Sequence, residues 1–258
     1  MTELLRPDRR TCGGIFLLCL ATLMYELILT RIFSVLMWYH FASMAISLAL
    51  FGMGVAALTV QLRPGWFPQG RTPFLIARFT ALFALSVALF FAVFLLFRWQ
   101  PQLGFKVLSF FHQPFYQPFQ QGFYDRGVPA TLLPVLAGLY LVTALPFYFG
   151  GLALTLLLSR YLASVNRLYF WDLLGAGAGC LLVILLLKLL GGITALLAIA
   201  LVGLLAAALL LPDGTPAFHR RVLVGVMLLL VAAGIGNHLY GYAEIRFVRG
   251  RYEPNLLW

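Results

Sequence analysis

Long uninterrupted runs of apolar residues constrain the fold of this chain more than any other feature. Seven runs approach or exceed about 20 residues, the length that an α-helix needs to cross the hydrocarbon core of a bilayer. They cover residues 13–37, 40–62, 74–97, 130–158, 168–190, 192–211 and 222–240. The runs are continuous rather than alternating, which favours helices over the strands of a membrane barrel. The sequence therefore predicts an all-α protein, a polytopic transmembrane helix bundle with about seven spans.

The overall composition excludes a soluble domain. Hydrophobic residues make up 62% of the chain and charged residues 10%, whereas about 25% of a soluble domain is charged. The net charge is +10, but the basic residues stand one to three at a time at the ends of apolar runs, as is typical of membrane helices. We therefore expect the lipid bilayer, and no nucleic acid, as a partner.

Two short motifs and one long connection divide the chain. Arg63-Pro64-Gly65 is expected to end the second span, and Gly191-Gly192 leaves room only for a hairpin turn between the fifth and sixth. The connection 98–128 is rich in Phe, Tyr, Gln and Pro, which predicts an interfacial loop or a short surface helix, with a substrate lid as the alternative. Residues 1–241 form the predicted membrane domain, and 242–258 a basic tail or the start of a linker.

The distribution of Lys and Arg predicts the orientation of the bundle. If seven successive spans cross the membrane in alternating directions, ten basic residues lie on the side of the N-terminus and five on the other side, without counting the tail. This excess favours a cytoplasmic N-terminus. The same count places the tail outside, although it carries Arg246, Arg249 and Arg251, so one span is alternatively re-entrant.

Three ionisable residues lie within the apolar runs. Glu26 and Arg31 belong to the first span and Asp172 to the fifth. Because a charge in hydrocarbon is costly, each is a candidate for a functional site. We predict a polar intramembrane network of these three residues between the first and fifth spans. The alternative is a structural ion pair that fixes the helix register, or an Asp172 that only touches interfacial water.

Four aromatic or imidazole side chains are candidates to extend this network at the membrane interface: Tyr25, Tyr39, His40 and Trp171. The three cysteines show no zinc spacing and are expected to be small buried hydrophobes. No catalytic or metal-binding constellation is visible, and we expect no cofactor in this chain.

Glycines and one proline within the spans predict close packing and a kink. Pro146 is expected to kink the fourth span, and Gly150 and Gly151 to admit a neighbouring backbone. Gly175, Gly177 and Gly179 do not fit the spacing of a nucleotide-binding loop and lie within an apolar run, so they too indicate helix packing.

Several motifs resemble the membrane region of bacterial spermidine-synthase-like integral membrane proteins. They are YELILTRIFS at 25–34, WYHF at 38–41, ALFG at 49–52, PFYFGG at 146–151 and NRLYFWDLLGAG at 166–177. The resemblance spans roughly residues 15 to 210. It implies a multi-pass membrane module in the inner membrane of a bacterium, which precedes a soluble domain resembling an aminopropyltransferase or a methyltransferase. That soluble domain has no counterpart in the 258 residues, so such activity would need a missing domain or a partner.

Three functions follow as hypotheses. The first is a membrane module that anchors or regulates a catalytic partner or a missing domain, which rests on the resemblance. The second is a transporter of a small, cationic solute, which rests on Glu26, Asp172 and the proline-kinked span. The third is an accessory subunit of a membrane complex, docked through the aromatic connection and the basic tail to a soluble or membrane protein.

Overall fold

The computed structural model describes residues 7–36, 42–99, 133–241, 247–248 and 251–252. Within these ranges the chain is a bundle of six α-helices, each long and apolar enough to cross a membrane. They are α1 (Arg9–Leu36), α2 (Ala42–Leu62), α3 (Thr72–Trp99), α4 (Leu133–Arg160), α5 (Val165–Leu210) and α6 (Ala217–Tyr240). Short 3-10 turns lie between α2 and α3, at Pro64–Trp66 and Gln69–Arg71, and between α4 and α5, at Leu162–Ser164. Strands β1 (Phe247–Val248) and β2 (Arg251–Tyr252) pair antiparallel.

The predicted fold class is confirmed. Helices α1 to α4 and α6 coincide with predicted spans to within about five residues. Arg63 and Pro64 do end the second span, because α2 stops at Leu62 and a 3-10 turn follows. Most of the predicted interfacial connection, and most of the basic tail, lie outside the described residues.

Helix α5 contains two predicted spans that fold back on each other at Gly191. This residue has φ 73° and ψ 168°, which interrupts the helix. Gly175 and Gly179, before the break, face Phe16 and Leu20 of α1. After it, Gly192 faces Ile32, and Leu210 at the far end reaches Gly14. The first limb of α5 (165–190) thus runs parallel to α1 and the second limb (192–210) returns antiparallel, which is the predicted hairpin.

Helix α1 occupies the middle of the bundle. It contacts both limbs of α5, α2 and α4, and its buried side chains include Met24, Ile28 and Leu29. Helices α2 and α4 pack side by side, where Gly52 approaches Phe147 and Gly151 approaches Met53. Helix α6 is the least buried of the six and packs mainly on α5, where the Asn237 amide donates a buried hydrogen bond to the Thr194 hydroxyl at 2.9 Å.

Two contacts show which helix ends share a side. The Arg10 guanidinium pairs with the Asp213 carboxylate at 2.8 Å, and the rings of Phe74 and His219 stand 5.5 Å apart. The starts of α1, α3 and α6 therefore lie together with the ends of α2, α4 and the second limb. We call this side the basic end, because most of the described Arg residues flank it: Arg9, Arg10, Arg63, Arg71, Arg78, Arg160, Arg167, Arg220 and Arg221. The opposite end carries Arg31, Arg98 and Lys188 in its helices.

The glycines of the first limb lie on different faces of the helix. A Cβ at Gly175 would collide with the carbonyl oxygen of Phe16, and one at Gly179 would lie 2.9 Å from that of Leu20. Gly150 and Gly151 likewise face α1, α2 and α3 closely. Gly177 has open space within 4 Å among the described residues, so its predicted packing role does not hold inside this bundle. Pro146 lies within α4, which remains helical on both sides of it.

Replacing Gly191 by alanine should destabilise the hairpin. Its φ and ψ fall in a region that is essentially restricted to glycine, so a side chain costs about 1–3 kcal/mol. Gly192→Ala is the matched control, because a Cβ there meets only ordinary contacts at 3.9 Å. Equilibrium unfolding in mixed detergent micelles measures both variants. Equal stability of the two would contradict the turn geometry.

Gly175→Ala should loosen the contact between α1 and the first limb. The added methyl group overlaps the Phe16 backbone, which cannot move away as a flexible side chain would, and such overpacking costs about 1–3 kcal/mol. Gly177→Ala, two residues along the same helix, should leave stability unchanged within error. Equilibrium unfolding of dilute protein in the same mixed micelles compares the stability of the two variants. A Gly177 variant as unstable as the Gly175 variant would contradict the conclusion that Gly175 faces α1 and Gly177 does not.

Candidate functional site

Tyr25 ties the central helix to α3 and α4. Its side chain has 0% exposure, and its hydroxyl donates a hydrogen bond to the Thr143 carbonyl at 3.2 Å. The carbonyl of the preceding residue, Val142, lacks its usual hydrogen-bond donor in the helix, because Pro146 has no backbone N–H. The ring packs edge-on against Phe90 at 6.1 Å and tilted against Phe147 at 5.1 Å. Tyr25 is therefore part of the aromatic core rather than of an interface, which corrects the predicted location.

Glu26 is half-buried at depth in the membrane. It lies about 25 Å along α1 from Arg9 and about 15 Å from Leu36, well inside a hydrocarbon core of about 30 Å. Its carboxylate forms no hydrogen bond or ion pair with any other residue that the structure describes. Since side chains five positions apart diverge by about 140° on a helix, Arg31 points to a different side of α1, where it is exposed.

Glu26 belongs to a polar flank of α1, which consists of Cys19, Thr22, Glu26 and Thr30. These positions recur with the period of a helix, so they share one side. Thr22 and Thr30 satisfy their hydroxyls on backbone carbonyls of their own helix, at 2.8 and 2.7 Å. The polar flank borders α4, because the Thr22 hydroxyl faces Gly150.

Asp172 borders the polar flank from the first limb of α5. Its half-buried carboxyl group lies near the buried Cys19 thiol. Cys19 precedes Glu26 by seven residues, about 10 Å along the axis. The structure thus places Asp172 and Glu26 on facing helices, as expected, but at different depths, and no ion pair joins Glu26, Arg31 and Asp172 within the described ranges.

The remaining predicted residues are placed as follows. Trp171 is half-buried, and its ring stands edge-on to Phe16 at 6.3 Å and to Phe170 at 5.7 Å. Tyr39 and His40 lie outside the described residues. No group of three or more His, Cys, Asp or Glu side chains suited to a metal occurs in the described part of the chain.

Two polar contacts had no sequence prediction. Cys12 and Cys19 are buried as expected, and Cys19 lies near the Asp172 carboxyl group, whereas Cys180 is exposed and contradicts the expectation. The Asn237–Thr194 hydrogen bond joins α6 to the second limb. A lone Asn within an apolar run is the signal that identifies such a contact, because an unpaired amide in hydrocarbon is costly.

Comparison with known proteins yields no relative. No family model, no curated protein and no solved structure matches this chain. The resemblance to spermidine-synthase-like membrane proteins therefore stays a prediction, and the chemistry of the site has to be argued from its own residues.

Tyr25→Phe should destabilise the bundle by about 0.5–1.5 kcal/mol, because it removes one buried hydrogen bond between helices and keeps the ring. Tyr169→Phe is the matched control, since Tyr169 is exposed on the first limb. Unfolding in mixed micelles should show a loss only for the Tyr25 variant. Equal behaviour of both variants would mean that the contact with Thr143 contributes nothing.

Proposed function

We propose that this chain is a packed membrane module of the bacterial cytoplasmic membrane that anchors or regulates a soluble catalytic partner. The observation that carries the proposal is the filled centre of the bundle. Tyr25, Phe83, Phe90 and Phe147, from α1, α3 and α4, are all between 0% and 1% exposed. These side chains occupy the place where a solute would have to pass between the helices.

The ionisable residues support the same proposal by their positions. An alternating-access transporter binds its solute near the midplane, between two groups of helices. In this bundle Asp172 lies towards the basic end, Glu26 lies deeper, and Lys188 and Arg31 lie about 5 and 8 Å further towards the opposite end. The described charges therefore line no common path.

The basic end is the surface on which we expect the partner to dock. Nine described Arg residues flank it, against Asp8, Asp172 and Asp213 as the described acidic residues on the same side, and the excess favours a cytoplasmic location of this end. A cytoplasmic enzyme with an acidic surface patch would be attracted to it. The resemblance suggests that this enzyme is an aminopropyltransferase or a methyltransferase.

Transport of a small cationic solute is the second candidate function. The observation in its favour is Glu26, whose carboxylate lies deep in the membrane without an ion pair to any described residue. Such residues often mark ion or proton pathways in membrane proteins.

Charge reversal at the basic end should release the partner. Arg220 and Arg221 are exposed near the N-terminus of α6, as its fourth and fifth residues. The helix dipole favours acidic side chains at this end, so we expect Arg220→Glu with Arg221→Glu to preserve the fold. Wild-type protein purified from native membranes should carry a soluble partner in stoichiometric amount, and the preparation should have aminopropyltransferase or methyltransferase activity. The double variant should lose most of it, and Arg31→Glu, at the opposite end, should not.

A flux assay distinguishes the transport hypothesis from the anchoring proposal. Liposomes that contain the purified chain should take up radiolabelled spermidine no faster than empty liposomes. Uptake by the wild type that is abolished in Glu26→Gln would overturn the anchoring proposal and support transport.

A further inference from the structure

Arg160, the last residue of α4, carries a charge that no other described residue neutralises. Its side chain is half-buried, and its Nε atom is buried without a hydrogen-bond acceptor among the residues that the structure describes. It also forms no ion pair within these ranges. Only Nε of this guanidinium is both buried and unpaired, so the terminal nitrogens are accessible from outside the bundle. Because buried polar groups are nearly always hydrogen-bonded, such an arginine is a candidate to bind an anion.

Packing of α4 holds this charge at the edge of the bundle. Leu156 and Leu157 precede Arg160 by one helical turn and share its side of α4. Both are buried in an apolar cluster with Ile76 of α3. The guanidinium carbon lies 5.8 Å from the centre of the Tyr161 ring, which is within the range of a cation–π interaction. The stem of the arginine is thus packed against protein, and only its tip is available to a ligand.

Arg63 lies at nearly the same level at the end of the neighbouring helix α2. Helices α2 and α4 run parallel, with Gly52 of α2 beside Phe147 of α4. The same offset places Arg63 about 3 Å along the axis from Arg160. Its side chain is exposed, so it is free to share a ligand with Arg160.

Arg71 reaches this level from the other side of α4, just before α3 begins. Helix α3 runs antiparallel to α4, with Phe83 beside Gly150, and this pairing places Arg71 about 3 Å in level from Arg160. Helix α4 contacts both α2 and α3, and Phe67, in the connection between those two helices, packs on the apolar cluster near the end of α4. Three arginines therefore surround the end of α4.

The end of α4 lies at the height of the lipid headgroups. Its 28 residues extend about 42 Å, which matches a bilayer of about 40–45 Å with its headgroup layers. Trp66 is exposed beside Arg63, whose guanidinium carbon is 5.7 Å from the ring centre, and such rings are typical of the membrane interface. Leu58 and Leu62 are exposed on α2 on the membrane side of Arg63, where acyl chains can lie.

We propose that Arg160, together with Arg63 and Arg71, binds the phosphate group of an anionic phospholipid in the leaflet at the basic end. Guanidinium groups bind phosphate oxygens in pairs, and basic pockets between membrane helices bind anionic headgroups. A headgroup with an ammonium group is disfavoured, because it would face three positive charges. Free phosphate offers the same oxygens but no acyl chains for the exposed leucines of α2. The inference goes beyond the anchoring proposal and does not depend on it, because it concerns the purified chain alone.

The test is native mass spectrometry of the purified full chain in detergent, with dioleoylphosphatidylglycerol as the added lipid. The wild type should bind one molecule of it about tenfold more tightly than dioleoylphosphatidylcholine. Arg160→Gln should raise the dissociation constant for the phosphatidylglycerol about tenfold or more, since it removes charge-assisted hydrogen bonds. Arg160→Lys should recover only part of the affinity, because an ammonium group cannot bind two phosphate oxygens in the same planar geometry.

Arg78→Gln is the matched control. Arg78 is also an exposed arginine of the basic end, but it follows Phe74 by one helical turn, and Phe74 packs on His219 of α6. Arg78 thus lies on the side of α3 towards α6, away from α4. The control variant loses the same charge and should bind the phosphatidylglycerol as the wild type does.

Two further arms make the test decisive. Arg63 is exposed, so Arg63→Gln should fold and should weaken binding of the phosphatidylglycerol even if the Arg160 variants fail to fold. A large excess of inorganic phosphate should leave the bound lipid in place, and its displacement would identify a site for free phosphate instead. Equal affinity for the two lipids, or unchanged binding in Arg63→Gln or in folded Arg160→Gln, would overturn the proposal.

Discussion

The close approach of two backbones, that of α1 and that of the first limb of α5, determines the arrangement of the other helices. Lipid is as apolar as the side chains, so helices in a membrane associate through close packing and hydrogen bonds rather than through the hydrophobic effect. Gly175 and Gly179 allow the carbonyls of Phe16 and Leu20 to lie against the first limb. This contact fixes the depth of Asp172 beside Cys19, and the turn at Gly191 then brings the second limb back along α1.

The number and limits of the spans could be predicted because they depend on local chemistry. A run of apolar residues specifies a membrane helix wherever it occurs, since each backbone group must pair within its own segment. Proline after Arg63 and the glycine pair at 191–192 act on their immediate neighbours, and the structure places a helix end and a reversal there.

The faces that meet could not be predicted, because they depend on contacts between distant segments. Gly175, Gly177 and Gly179 are equivalent by composition, yet two of them face α1 and the third faces outwards. Tyr25 was placed at an interface because tyrosine is common there, whereas its hydroxyl is buried against Thr143 next to Pro146. Glu26 and Asp172 lie on helices that contact each other, but their depths follow from the register of α1 on α5, which no local pattern specifies.

The combination of a filled centre and charges on the perimeter favours binding of a protein partner over transport of a solute through the bundle. A solute path needs polar groups that face one another across a cavity, whereas Tyr25, Phe83, Phe90 and Phe147 occupy the interior here. Arg residues at the basic end face water and can bind an acidic surface at little desolvation cost. Glu26 is half-buried and Lys188 is exposed, both within apolar helices, where an unpaired charge is costly. The position of each charge relative to the membrane thus determines the kind of partner that it can recruit.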